Sequence, residues 1–275
     1  MLKFYKALIL LLVPVSVISQ EGYRINKDIV YGHKAGLAMT YDVIQPAGNL
    51  NGAGIIHVVS GAWNSRYYPP DSIAINYKSF LDKGYTVFAL RHGSSPQFTI
   101  AQAVSDVESG VWQIHHGCGE FGVDSTRLGI YGGSSGGQLA LMAALSGEHH
   151  PVAAVVAFFA PANLENVPGI LKAIFPALNM DSLEARAVSP ILLASPDDPP
   201  TLLIQGRSDF IVAPWQSENM YKALQDNGVE SRLVEYDGMG HGNAFGAKGE
   251  YYEEANREML NWFDKFLLKN NSDKQ

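Results

Sequence analysis

Seven short apolar runs, separated by stretches of helical periodicity or by longer loops, constrain what this 275-residue chain can fold into more than any other feature. Gly54-Ile55-Ile56-His57-Val58-Val59 is nearly continuous in apolar character, as a parallel strand covered on both faces must be. Comparable runs follow at Tyr85–Leu90, Leu128–Tyr131, Val152–Phe159, Thr201–Gln205 and Ser231–Tyr236. Leu37–Ile44 instead alternates with period two and ends at Pro46, the mark of a half-exposed strand. Helical patterns at Ser72–Lys83, Ile100–His116, Ser135–Leu145, Trp215–Asn227 and Glu250–Leu268 lie between and after the runs. Gly84 and Gly228 stand where helices need a C-cap. The alternation predicts an α/β fold, a mostly parallel twisted sheet flanked by helices.

The rhythm breaks once. From Pro161 to Pro200 the chain is proline-rich, and only Ile170–Phe175 and Leu183–Val188 have the pattern of short helices. A segment of that length exceeds an ordinary connection, so residues 161–200 are expected to form a small lid inserted in one domain. The N-terminus is a separate object. Lys3 and Lys6 precede the apolar run Ala7–Val13, and Val17 and Ser19 supply small residues at −3 and −1. This is the pattern of a signal peptide spanning residues 1–19. A membrane anchor is the competing reading, but it needs ~20 apolar residues and Pro14 and Ser16 interrupt this run. Cleavage leaves residues 20–275 as one domain, secreted or periplasmic and not membrane-bound, its net charge moved from −7 to −9 by the loss of two lysines. That acidity argues against nucleic-acid binding. The single cysteine, Cys118, excludes an intrachain disulfide and a cysteine-based zinc cluster. No spacing of metal ligands stands out, and no cofactor is expected.

The chemistry concentrates at Gly132-Gly133-Ser134-Ser135-Gly136-Gly137, which follows one apolar run and opens a helical pattern. That context suits a G-x-S-x-G elbow, where glycines two residues either side let a strand turn sharply into a helix and push the serine out. Ser135 also fits the centre of such a motif, so the register is open between it and Ser134. A phosphate-binding glycine loop is disfavoured, because neither the P-loop nor the dinucleotide pattern is present. A serine hydroxyl needs a base. His241, in Gly238-Met239-Gly240-His241-Gly242, follows the last strand; the adjacent pairs His115-His116 and His149-His150 and mid-strand His57 are weaker candidates. Asp209 ends the run after Thr201–Gln205, and Asp237 competes with it but lies four residues before His241. The order Ser134, Asp209, His241 is that of α/β-hydrolases.

From about Ile29 to Leu267 the chain resembles α/β-hydrolase esterases and lipases of the hormone-sensitive-lipase and carboxylesterase group. The likeness is carried by Gly132–Ala140, by Pro199-Pro200-Thr201-Leu202-Leu203-Ile204-Gln205-Gly206 leading to Asp209, and by Gly240-His241-Gly242. It favours Ser134 as nucleophile, because Gly136-Gly137-Gln138-Leu139-Ala140 then falls in register. It implies a serine esterase with Asp209 and His241 completing the triad, acting without a cofactor on a small-molecule or polysaccharide-linked ester. Members of the group usually carry His-Gly-Gly-Gly or His-Gly-Gly-Ala before an aromatic residue; here the segment reads Val59-Ser60-Gly61-Ala62-Trp63. Aligned on the aromatic residue, the backbone N–H groups of Gly61 and Ala62 join that of Ser135 as the expected oxyanion hole. Val59 removes the usual bracing histidine.

Trp63, Tyr67, His92 and Trp215 are expected to line a substrate pocket. Tyr68 is a further candidate, and Arg66 stands either as a carboxylate partner or as a solvated side chain. Two rival functions use the same residues. A prolyl-oligopeptidase-type peptidase shares the order of the triad, but no blade-like repeats precede the domain. A non-catalytic binding protein normally has a broken triad, and here all three members are present. Short-chain acyl esters and acetyl or feruloyl esters of plant polysaccharides both suit an exported acidic esterase. Oligomeric state is not legible.

Overall fold

The computed structural model describes residues 17–18, 22–69, 72, 74–146, 151–242 and 249–268. Its strands are β1 (Val17–Ile18), β2 (Tyr23–Lys34), β3 (Leu37–Pro46), β4 (Gly54–Val58), β5 (Thr86–Leu90), β6 (Leu128–Gly133), β7 (Ala154–Phe158), β8 (Thr201–Gly206) and β9 (Ser231–Tyr236). They form one sheet in the order β1-β2-β3-β5-β4-β6-β7-β8-β9. The first three pairings are antiparallel, and every pairing from β5 through β4 to β9 is parallel. The seven apolar runs thus all become strands, and the α/β-hydrolase architecture expected from the sequence is present.

Both faces of the sheet are covered, which is why the central runs are apolar throughout. On one face Ile56, Val58 and Ile130 pack under α2 (Ile100–Gly117), α3 (Ser135–Leu145) and α6 (Trp215–Asp226). On the other, Ile55, Val87 and Ile204 pack under α1 (Lys78–Leu81) and α7 (Tyr252–Leu267). The α2 helix begins with a reciprocal capping box between Thr99 and Gln102. The α7 helix buries Ala255, Met259, Phe263 and Leu267, a stripe spaced by fours.

Two expectations need correction. The helix read over Ser72–Lys83 is a 3₁₀ turn at Ala74–Tyr77 followed by only the four residues of α1. The twelve-residue β2 has no counterpart among the sequence-read elements. Its alternation is broken by register shifts at Asn26/Ile29 and Val30/Gly32, where extra residues bulge out and reset the inward face. Of the expected signal segment, Val17 and Ile18 pair with Ile25 and Arg24, and the rest lies outside the described residues. Residues 161–200 contain α4 (Gly169–Ile174) and α5 (Ser182–Ala187), close to the two short helices read there.

Because β6, β8 and β9 run parallel, the loops leaving their carboxyl ends share one edge of the sheet. Open α/β sheets bind ligands at that edge.

Candidate active site

The turn from β6 into α3 is tight. A Cβ on Gly132 would lie 2.4 Å from the Gly136 backbone, and one on Gly136 would lie 2.7 Å from the Val58 carbonyl oxygen, so neither position admits a side chain. Ser134 sits between them at φ 53° and ψ −124°. A left-handed serine stores ~1–3 kcal/mol of strain, held here by its surroundings. Its N–H donates to the Phe158 carbonyl (2.9 Å), and its own carbonyl accepts from the Gln138 N–H (3.1 Å). Ser135 turns the other way. It is buried, and its hydroxyl lies 2.9 Å from that of Ser60. The geometry therefore separates the two serines that the motif left open.

The Ser134 hydroxyl faces His241, with Oγ 3.0 Å from Nε2. The other ring nitrogen, Nδ1, is 2.8 Å from Asp209 Oδ2. Asp209 is buried, and its second oxygen accepts from the backbone N–H groups of Ile211 and Val212, each at 2.9 Å. Gln205 Nε2 also reaches Oδ2 at 3.3 Å, and Gln205 is itself held by the Ser217 hydroxyl at 2.8 Å. The loops bearing Asp209 and His241 meet closely: Ser208 N–H donates to the Met239 carbonyl (2.9 Å), and a Cβ on Gly206 would lie 2.4 Å from that same oxygen. Asp237, the competing acid, is exposed and pairs with Arg207 at 3.1 Å.

The other histidines point elsewhere. His57 Nδ1 meets the Tyr77 hydroxyl at 2.8 Å and its ring stacks on Tyr131 at 4.5 Å; burial pulls its pKa down to about 4. His115 and His116 bond to the backbone carbonyls of Pro151 and Trp112. His149 and His150 lie outside the described residues.

The loop after β4 departs from expectation in one detail. The Gly61 N–H donates to the Asn64 carbonyl at 3.0 Å, so this group, expected in the oxyanion hole, is engaged inside its own loop. Ala62 (φ 51°) and Trp63 (φ 57°) follow in the left-handed region. With Ser134 and Phe159 (φ 38°) they account for four of the six non-glycine residues with positive φ among those described. Such concentration of strain is a property of functional sites. Ser60, which stands where the group has glycine, ties the loop to α3 through Ser135. Trp63 adds a second tie, its buried indole N–H donating to Gln138 Oε1 at 2.9 Å, while Gln138 Nε2 donates to the Val188 carbonyl at 2.8 Å. None of these braces was read from the sequence.

A cavity of about 250 Å³ opens at Ser134 and His241. Its walls are apolar: Trp63 and Trp215, Leu171 and Phe175 from the 161–200 insertion, and Phe210 and Val212 from the Asp209 loop. The insertion is pinned at its start, where Gln216 Oε1 accepts from the N–H groups of Ala162 and Asn163. Trp63 and Trp215 thus line the pocket as expected. Tyr67 and His92 do not. Tyr67 is exposed with the Arg91 guanidinium 5.3 Å above its ring, because Arg91 is anchored by Asp42 on the antiparallel side of the sheet. His92 is buried, its Nδ1 bonded to the Gly93 carbonyl (2.9 Å) and its pKa lowered by desolvation.

The fold is shared with solved esterases. Thermogutta terrifontis esterase 2 phosphonylated by sarin superposes with a TM-score of 0.75 at 19% identity, covering 89% of this chain and 96% of that one. A truncated form of a carbohydrate esterase from gut microbiota gives 0.71 at 21% identity, with coverages of 89% and 98%. Among curated relatives, Esterase LipQ of Mycobacterium tuberculosis is 24% identical over 195 residues, 64% of this chain and 46% of that protein. Isoprenylcysteine alpha-carbonyl methylesterase ICME of Arabidopsis thaliana is 25% identical over 265 residues, 84% of this chain and 61% of that protein. The chain spans about half the length of the curated relatives it matches. Residues 42–224, well over half of the chain, match the BD-FAE family model, and the chain belongs to the BD-FAE family.

Proposed function

We propose that the protein is a serine esterase that hydrolyses carboxylic esters through an acyl-enzyme. The observation that carries this reading is the hydrogen-bonded series from Ser134 through His241 to buried Asp209 at the mouth of an apolar cavity. His241 Nε2 takes the Ser134 proton as Oγ attacks the acyl carbon, and Asp209 holds the ring with its other N–H turned away from serine. The N–H groups of Ala62 and Ser135 stabilise the oxyanion, and Ser135 does so as the first residue of α3, whose positive dipole end adds to the effect. His241 then gives its proton to the leaving alkoxide and activates water for deacylation.

The apolar cavity, about 250 Å³, suits a short-chain acyl group or a single aromatic acyl group. Acetyl and feruloyl esters of small alcohols and of polysaccharides are the substrates that follow. The names of the relatives, an esterase and a methylesterase, support ester chemistry. Residues 1–19 serve as an export signal, so the mature chain begins at Gln20 and works outside the cytoplasm.

A fluorophosphonate probe tests the mechanism. It should label Ser134, with labelling and p-nitrophenyl acetate hydrolysis both abolished in Ser134→Ala and both retained in Ser135→Ala. Labelling of neither serine defeats the reading. Edman sequencing of the exported protein should start at Gln20.

A further inference from the structure

An ester has two limbs, and the cavity that holds Ser134 accommodates one. A second cavity of about 580 Å³ is lined by Ser60, Gly61 and Asn64 of the same loop that lines the first, and Gly61 lines both. A Cβ at Gly61 would meet no atom within 4 Å, so the missing side chain leaves open space where the two cavities adjoin. The two differ in character. The second is lined by Asn64, Arg66, Tyr68, Ser72, Asn76 and His57. Its volume falls within the ~300–1,000 Å³ of small-molecule sites.

Arg66, an exposed side chain, is the one arginine or lysine in the described lining of this cavity. Arg66 has no ion pair or hydrogen bond among the described residues, and no carboxylate is present in the described lining. Arg91, by contrast, is held by Asp28 and Asp42. The Arg66 guanidinium, the Asn76 amide and the Tyr68 hydroxyl offer donors to an acceptor-rich group, while the Ser72 hydroxyl and the Asn64 amide already donate to the backbone carbonyls of Pro69 and Ala62. The planar fork of arginine matches a carboxylate with two parallel hydrogen bonds.

We propose that this cavity receives the alcohol limb of the ester and selects a limb that carries a carboxylate, with Arg66 as its charge partner. The inference rests on the serine-esterase reading for its chemistry, but the binding of the carboxylate does not depend on turnover. It makes Arg66 a specificity-determining residue, distinct from the groups that carry out bond cleavage. The limb it selects is a hydroxy acid, of which a sugar acid is one that fills the volume.

Two measurements test it. The first compares acetoxyacetate with 2-methoxyethyl acetate, which share an acetyl group and differ in the charge of the alcohol limb. Arg66→Gln should lower kcat/KM about tenfold more for acetoxyacetate than for the neutral ester, mainly through KM, and Arg66→Lys should restore part of the difference. Equal effects on the two esters overturn the proposal while leaving the esterase reading intact. The second is calorimetric titration with D-galacturonate and D-galactose. Galacturonate should bind the wild-type protein and bind Arg66→Gln about tenfold more weakly, with no such change for galactose. Galacturonate binding that ignores Arg66 overturns the proposal. Binding that depends on Arg66 in a protein that turns over neither ester sustains the site and removes the esterase reading instead.

Discussion

Asp209→Asn separates the orientation of His241 from everything else in the site. An asparagine has one acceptor oxygen and one donor amide where aspartate has two acceptors. Oδ1 receives two backbone N–H groups, from Ile211 and Val212, each at 2.9 Å. Turning the amide toward them would oppose donors to donors in a buried position, at ~1–3 kcal/mol for each group left unsatisfied. The oxygen therefore stays there, and the amide takes the Oδ2 position, 2.8 Å from His241 Nδ1. It donates to Nδ1, so the imidazole keeps its proton on Nε2 and presents N–H rather than a lone pair to the Ser134 hydroxyl 3.0 Å away. A base in the wrong tautomer costs ~10⁴-fold in kcat, which is ~5.5 kcal/mol of activation free energy. The assay is p-nitrophenyl acetate hydrolysis at neutral pH, with KM close to wild type and circular dichroism unchanged. Asp237→Asn is the matched control, because Asp237 only pairs with Arg207 at the surface, and it should stay within about twofold of wild type. The reasoning is refuted if Asp209→Asn keeps more than about a tenth of the wild-type kcat, or if Asp237→Asn falls as far.

Three further perturbations read other parts of the structure. Burial pulls the His57 pKa down to about 4 from the ordinary 6.5, so between these values the unfolded chain binds the extra proton. Its contribution to stability is complete above pH 6.5 and disappears as pH falls toward 4; a shift of this size corresponds to ~3 kcal/mol. Urea midpoints measured at pH 7.5 and 4.5 should therefore diverge less in His57→Gln than in wild type. Trp63→Phe leaves the buried Gln138 Oε1 without its donor, which should cost ~1–3 kcal/mol in chemical denaturation and lower kcat as the loop bearing Ala62 loosens. Gly206→Ala drives a Cβ against the Met239 carbonyl and so pushes the His241 loop away from Asp209; kcat should fall more steeply than thermal stability, and parallel losses of both would count against it.

What the sequence made legible depended on whether a constraint was local. The strand–turn–helix around Ser134 could be read because Gly132 and Gly136 exclude side chains two residues either side of it. Asp209 and His241 could be read because parallel strands deliver their carboxyl ends to one edge, a rule of topology that needs no contact to be known. The strand β2 escaped because Asp28 (φ 52°) and the two bulges break the period-two pattern that identifies strands. Tyr67 and His92 were misjudged for a related reason: nearness in sequence to the loops of the site says nothing about which way a side chain turns. The Val59–Trp63 loop is the most instructive case. Val59 and Ser60 read as losses, a bracing histidine and a glycine gone, because each position was weighed alone. Across 75 residues Ser60 meets Ser135, and Trp63 meets Gln138 over the same separation. Both partners lie on α3, the helix capped by Ser134, so the bracing missing from within the loop is supplied from the element that the loop faces. Ser60, standing in the place of a glycine, and Ser135, the residue after Ser134, thus form a single contact, and only the fold brings its halves together.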